Sequence, residues 1–343
     1  MRRNKWLYLG LSLTVSGLLL GLLFSRIDAG DLVQTLTNIY RPALAAYAAC
    51  AMIGTGLRAW RYKLLLQPRP IGWGPIWLVT FVRNSLVDLL PARIGSLSYI
   101  YILNKRLGFP FETAASTFIL CFVLDFLTLG PFLALAVLAA GIGPGVVSGS
   151  TLLAASAVLF LFILGVFWKI VPLSLWALNR LKAIHRALGW KDRQAVRVFE
   201  EKAAAVLESF RTIRARNVYL PVLLLSFFIR LAKYASLFLL LIALLRSHGF
   251  LPALPDFWKM ILGTSGAELT SALPIKGLAG FGTWETAWAL TYKLMNFDTR
   301  LAVISGMGVH LITNLFEYSL GFLSLVILAL PYFKKAKHQN DPL

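Results

Sequence analysis

Asp88–Leu97 reads DLLPARIGSL, and Ser271–Glu285 reads SALPIKGLAGFGTWE. Each sets Leu-Pro, a cation and a glycine close together: Leu90, Pro91, Arg93 and Gly95 in the first, Leu273, Pro274, Lys276 and Gly277 in the second. Proline removes a backbone donor and glycine permits unusual dihedrals, so both residues end helices. A chain that breaks its helices twice, with a charge each time, is read by what surrounds the breaks.

The surroundings are oily. Of 343 residues 58% are hydrophobic and 14% charged, against about 25% charged in a soluble domain, and the mean hydropathy is +0.72. Several apolar runs reach the roughly 20 residues that cross a bilayer. The chain is an integral membrane protein, all-α and polytopic. Lys and Arg number 34 against 15 Asp and Glu. They cluster between apolar runs, which points to cytoplasmic loops facing anionic lipid rather than to nucleic acid. Cys50 and Cys121 lie inside apolar runs and give neither a disulfide framework nor a metal-ligand spacing. The apolar run from Trp6 to Phe24 is too long for a signal-peptide core and is read as a retained span.

About six spans are expected, at 6–25, 42–66, 111–140, 147–171, 218–245 and 301–331. Arg2, Arg3 and Lys5, then Arg58, Arg61, Lys63 and Arg69, then Lys334, Lys335 and Lys337 place both termini in the cytoplasm of a bacterial or archaeal cell. Residues 172–217 form a cytoplasmic amphipathic insertion, and 334–343 a basic tail. Val196, Phe199, Ala203, Val206, Phe210 and Ile213 make one apolar stripe in the insertion, suited to a membrane surface or to the bundle.

Segments 73–104 and 256–294 remain. Non-helical backbone at membrane depth is tolerated where protein or a cavity surrounds it, so both are expected to be re-entrant hairpins; paired full spans are the competing reading. The halves, 1–141 and 147–333, then repeat with inverted topology, as in many secondary transporters, whose sites lie at interrupted helices. A broken helix exposes N–H groups and a positive dipole end that suit an anion. Pro91, Gly95, Pro274, Gly277, Gly280 and Gly282 are the hinge candidates.

The candidate binding residues are Arg93, Lys276, Arg230, Lys233, Glu268, Glu285, Arg58 and Arg61. Cations hold phosphate, while Glu268 and Glu285 bind an amine or order the cations; Glu285 also suits a cap. Arg83, Asp88 and Arg93 share the first hairpin, with Asp88 set to neutralise an arginine. Ionisable residues inside spans are functional candidates by default. Asp125, His310, Asn314 and Glu317 are the intramembrane polar set, with proton coupling open to Asp125 or Glu317. The plainer reading pairs Arg230 or Lys233 with Asp125 or Glu317 as internal glue, and makes Arg58 or Arg61 a positive-inside anchor. No H-E-x-x-H, G-x-S-x-G, phosphate-loop or Cys/His pattern occurs, so no catalytic residue, metal or cofactor is expected.

LLPARIGSLSYIYILNKRLG resembles the Pro-Gly-Arg-x-Gly-Glu segment and basic turn of the lysylphosphatidylglycerol synthase transmembrane, or flippase-like, family. LPIKGLAGFGTWE resembles its second signature, and LRAWRYKLLL its second span. Ala92, Ser96 and Tyr99 depart from the usual glycine, glutamate and arginine, and Ala279 replaces the first of paired glycines; Gly280, Gly282 and Glu285 keep the pattern. The best-known members join such a domain to an aminoacyl transferase. The resemblance implies a stand-alone lipid translocase without that transferase. Its expected partners are membrane lipids (an anionic or zwitterionic phospholipid, or a polyprenyl phosphate), a second copy of the chain, and a separate soluble transferase. The alternatives are a secondary transporter of a small soluble anion and a membrane subunit of a lipid- or glycan-modifying enzyme.

Overall fold

The computed structural model describes residues 2–139, 149–187, 189, 194–249, 254–270, 277–295 and 297–330. Among the described residues there is no strand, and fourteen α-helices follow one another. The first five are α1 (Arg2–Phe24), α2 (Ala29–Thr37), α3 (Arg41–Leu66), α4 (Trp73–Leu89) and α5 (Ser98–Lys105). Next come α6 (Phe111–Leu127), α7 (Leu129–Ala139), α8 (Gly149–Trp168), α9 (Ile170–Ala187) and α10 (Gln194–Ala215). The last four are α11 (Tyr219–Leu245), α12 (Leu254–Thr270), α13 (Thr283–Leu294) and α14 (Thr299–Ala329). Helices begin where the sequence supplies caps: Asp28 accepts from the Gly30 N–H at 2.9 Å, and Asp298 from the Leu301 N–H at 2.8 Å.

A helix stands at each of the six expected spans. Phe111–Ala139, Tyr219–His248 and Thr299–Ala329 are long and apolar enough to cross a bilayer, and Leu153–Trp168 with Ile170–Ala187, meeting at 76°, is a fourth if that bent pair counts as one span. The chain is thus a helical, multi-pass membrane protein. The 26 residues of α3 have the length, but Arg58, Arg61 and Lys63 interrupt its apolar run.

Two apolar clusters hold the bundle. α3 and α11 run antiparallel through both: the Tyr40 N–H donates to the Ala243 carbonyl at one end, and Arg216 donates to the Leu64 carbonyl at the other. Tyr47, Tyr234 and Leu240 belong to one cluster, and Ala59, Leu65 and Val222 to the other. Between them, both helices turn polar side chains toward each other.

The insertion departs from the expected stripe. Phe210 and Ile213 are buried with Leu207, whereas Phe199 is exposed. α10 packs on α6, and a Lys202–Glu112 ion pair joins the two.

Both broken segments fold as helix–turn–helix units. α4 ends at Leu89, a 3-10 turn runs Pro91–Leu97, and α5 turns back onto α4. A Cβ at Gly95 would stand 1.6 Å from the Leu86 carbonyl oxygen, so only glycine lets the turn close this tightly. In the second, α12 packs on α13 across the 3-10 turn Leu278–Gly280. Pro274 and Lys276 lie outside the described residues.

Candidate functional site

The second break is held from outside its own segment. Ser16 on α1 donates through its hydroxyl to the Phe281 carbonyl at 3.0 Å and accepts from the Leu278 N–H at 2.7 Å. Gly280 and Gly282 take φ of 85° and 87°, and Ala279 takes 52°. Glu285 Oε2 accepts from the Gly282 N–H at 2.8 Å, closing the first turn of α13 as a cap, while its Oε1 meets His310 Nδ1 at 2.6 Å. Phe281 and Trp284 sandwich the His310 ring at 4.7 and 4.9 Å. Glu285 is thus a buried carboxylate engaged by the Gly282 N–H and His310, and it is not among the residues that line the cavity described next.

That cavity, about 230 Å³, lies between α3, α4, α6, α11 and the broken segments. One water needs only ~10–15 Å³ by the same measure, so a polar group of several atoms fits. α3 contributes Arg58; α4 contributes Arg83, Asn84 and Asp88; the first break contributes Arg93. Asp125 enters from α6, Arg230 and Lys233 from α11, and Glu268 from α12. One face of α14 adds His310, Asn314 and Glu317, whereas Leu311, Leu315 and Phe322 are exposed on its other face. Helical spacing of three and four makes that division.

Five of the expected binding residues thus meet in one place: Arg58, Arg93, Arg230, Lys233 and Glu268. Arg61 does not line the cavity. It is fully buried behind it, donating to Asp125 Oδ1 at 2.6 Å and to the Ser226 hydroxyl at 2.8 Å. It is no surface anchor. The expected glue is also differently wired. Lys233 pairs with Glu268, and Arg230 reaches the Asp125 backbone carbonyl and the hydroxyls of Thr128 and Tyr234. A side chain one turn further along the α3 face reaches Asp125 first, so α11 finds its own acid on α12.

The sequence reading left Arg83 and Asn84 out of the binding set. Their signal was present: a cation and an amide in mid-helix of an apolar segment, on the face that also carries Asp88. Asn84 Oδ1 accepts from Arg58 at 2.6 Å and from Arg83 at 3.4 Å. Two guanidinium groups share one neutral oxygen. Arg58 Nε, Arg83 Nε and Asn314 Nδ2 are buried with no acceptor, as are Nε and Nη2 of Arg61 behind them. Every unsatisfied buried polar atom of the cavity wall is a nitrogen donor. An arrangement of this kind takes an acceptor-rich anion, such as a phosphate or carboxylate. Among the described residues no cluster of His, Cys, Asp and Glu is placed to hold a metal.

No curated protein shows significant similarity to the chain. A family model, the lysylphosphatidylglycerol synthase TM region, matches residues 9–321. The match takes in both broken segments and every helix that lines the cavity, and the chain belongs to that family.

Proposed function

We propose that this protein is a lipid translocase that binds a phosphate-bearing headgroup in the cavity and moves it between the leaflets of the inner membrane. Membership in the family supports lipid handling in general. The observation that carries the finer reading is the set of unsatisfied donors, with Arg58 and Arg83 held by one amide oxygen. A phosphate supplies the missing acceptors, and a bidentate guanidinium–phosphate contact is among the stronger polar interactions. Arg93, Arg230 and Lys233 line the same cavity, and Lys276 lies within the second break in sequence, just before its turn.

A lipid is favoured over a soluble anion by what flanks the charge. Ile94 and Leu97 are exposed beside Arg93 in the first break. On the far side of α4 an apolar groove is lined by Val82, Leu86, Ile102, Leu325 and Leu328. Acyl chains have an apolar surface there while the headgroup is inside. In this reading the six helices span, the two broken segments are re-entrant hairpins, and the halves form an inverted repeat around the cavity. Both termini are cytoplasmic.

Native mass spectrometry of the purified protein with its co-purified lipids tests this, beside an Arg58→Gln/Arg83→Gln variant. A phospholipid or polyprenyl phosphate retained by the wild type and lost in the variant supports the reading. The same lipids on both, with inorganic phosphate displacing nothing from either, overturns it. Displacement of the bound species by inorganic phosphate alone moves the assignment to a soluble anion.

A further inference from the structure

We infer that Glu317 is the proton carrier of the cavity. It takes up a proton as a headgroup phosphate settles on Arg58 and Arg83 and releases it as the phosphate leaves. An anionic headgroup and a proton then cross together, without net charge. This rests on the headgroup reading above and adds what travels with the lipid.

Four carboxylates line the cavity, and three are engaged. Asp125 is held by Arg61 at 2.6 Å, Glu268 by Lys233, and Asp88 also has a partner. Glu317 accepts no hydrogen bond and forms no ion pair among the described residues. It lies well inside the 31-residue helix α14, far from either end. An unpaired carboxylate at membrane depth is costly, and such residues mark proton and ion pathways.

The charges around it explain why one proton is needed. Asp88 and Arg83 act on it from α4, Arg58 and Tyr47 from α3, and Lys233 from α11. His310 and Asn314 precede it on its own helix, and α13 contributes the uncharged Trp284 to the same wall. Arg58 and Arg83 touch a neutral amide rather than a carboxylate, and Lys233 is spent on Glu268. In its ionised form, before a phosphate arrives, Glu317 is the cavity's spare negative charge for the two arginines. A phosphate brings a second. Like charges held in one cavity of reduced dielectric repel more strongly than they do in water.

One proton from solution, forming an O–H bond on the Glu317 carboxyl, removes that conflict. The net charge of the cavity is then the same with and without the headgroup. By linkage, whatever the proton does for phosphate affinity the phosphate does for proton affinity. Breaking the same O–H bond toward the other side of the membrane returns the carboxylate.

The test counts protons. Dihexanoylphosphatidylglycerol, a phosphodiester that stays singly charged around neutral pH, is titrated into detergent-solubilised protein by calorimetry. Buffers of different ionisation enthalpy are compared at one pH. The wild type is expected to take up a proton on binding, approaching about one per lipid as the pH rises, with its affinity weakening by up to about tenfold per unit rise in pH. Glu317→Gln is expected to bind without uptake and without that dependence. Wild-type binding with no proton uptake overturns the inference while leaving the headgroup reading intact, and the wild-type count decides this even if the variant fails to fold. Equal uptake by the variant overturns it too. No binding by the wild type removes the headgroup reading and this inference with it.

A second measurement uses phosphatidylcholine vesicles carrying fluorescent phosphatidylglycerol. A pH step across the membrane is expected to drive its redistribution, and a potassium diffusion potential to leave it unchanged. The reverse result overturns electroneutral coupling.

Discussion

Arg58 and Arg61 sit one turn apart on α3, and the regions around them are built to opposite ends. Arg61 is sealed: its charge meets the Asp125 carboxylate at 2.6 Å, and Ser226 accepts from the same nitrogen. Arg58 is left open, lining the cavity and donating only to an amide oxygen that Arg83 also uses, with no carboxylate in contact. Unsatisfied nitrogens occur on both arginines, so the counter-charge and the cavity wall, not the spare donors, separate them. One region spends its charge on holding α3, α6 and α11 together. On the proposed reading, the other keeps its charge for a phosphate. A stability measurement and a binding measurement should therefore separate two residues that the sequence presents side by side.

The largest expected effect is on the sealed side. Asp125→Asn keeps the shape but leaves Arg61 buried without a counter-charge, a change that costs about 3–5 kcal/mol. Thermal unfolding in detergent checks this, and adding Arg61→Gln to Asp125→Asn should recover part of the loss, because the double variant removes the orphaned charge. Arg58→Gln should cost well under that. If Arg58→Gln destabilises as much as Asp125→Asn, the division between a sealed and an open arginine is wrong.

How much of this was visible in the sequence follows from the physics of each feature. Composition and apolar run length give the membrane and the helices, since both are properties of single segments. Leu-Pro and glycine gave the two breaks, and helical spacing put His310, Asn314 and Glu317 on one face. Partner choice was not legible. Asp125 had Arg58, Arg61, Arg83, Arg230 and Lys233 to choose from, and the antiparallel packing of α3 on α11, with α6 beside them, decides for Arg61. Arg83 was passed over because α4 reads as an apolar hairpin arm, and Ser16 because a lone serine in α1 carries no signal of a partner more than 260 residues away.

Ser16 sharpens the comparison on the second break. Its hydroxyl makes two hydrogen bonds to the turn, accepting from the Leu278 N–H and donating to the Phe281 carbonyl. Ser16→Ala removes both and leaves the Leu278 N–H unsatisfied, at a cost of about 1–3 kcal/mol. The loss should be local: hydrogen exchange in peptides covering 277–283 should quicken, while those covering the first break should not change. Equal protection in both variants would mean that α13 and its Glu285 cap hold the turn without α1.

The smallest effect is a gain, and it tests whether strain in the two breaks serves the same end. Ala279 and Arg93 both hold left-handed backbone, with φ of 52° and 55°. That conformation costs a residue with a Cβ roughly 1–2 kcal/mol, offset in a glycine by about 0.5–1 kcal/mol of extra chain entropy. Ala279→Gly should therefore raise stability by up to about 1 kcal/mol, with lipid retention unchanged, because Ala279 is not in the cavity wall. Arg93→Gly relieves the same backbone strain but removes a cation that lines the cavity. It should fall below Ala279→Gly in lipid retained on native mass spectrometry. On the proposed reading, the strain in the first break is tolerated because a cation is needed there, and in the second the methyl group of Ala279 has no such use. Equal lipid retention by the two variants would remove Arg93 from the headgroup site and leave its strain unexplained.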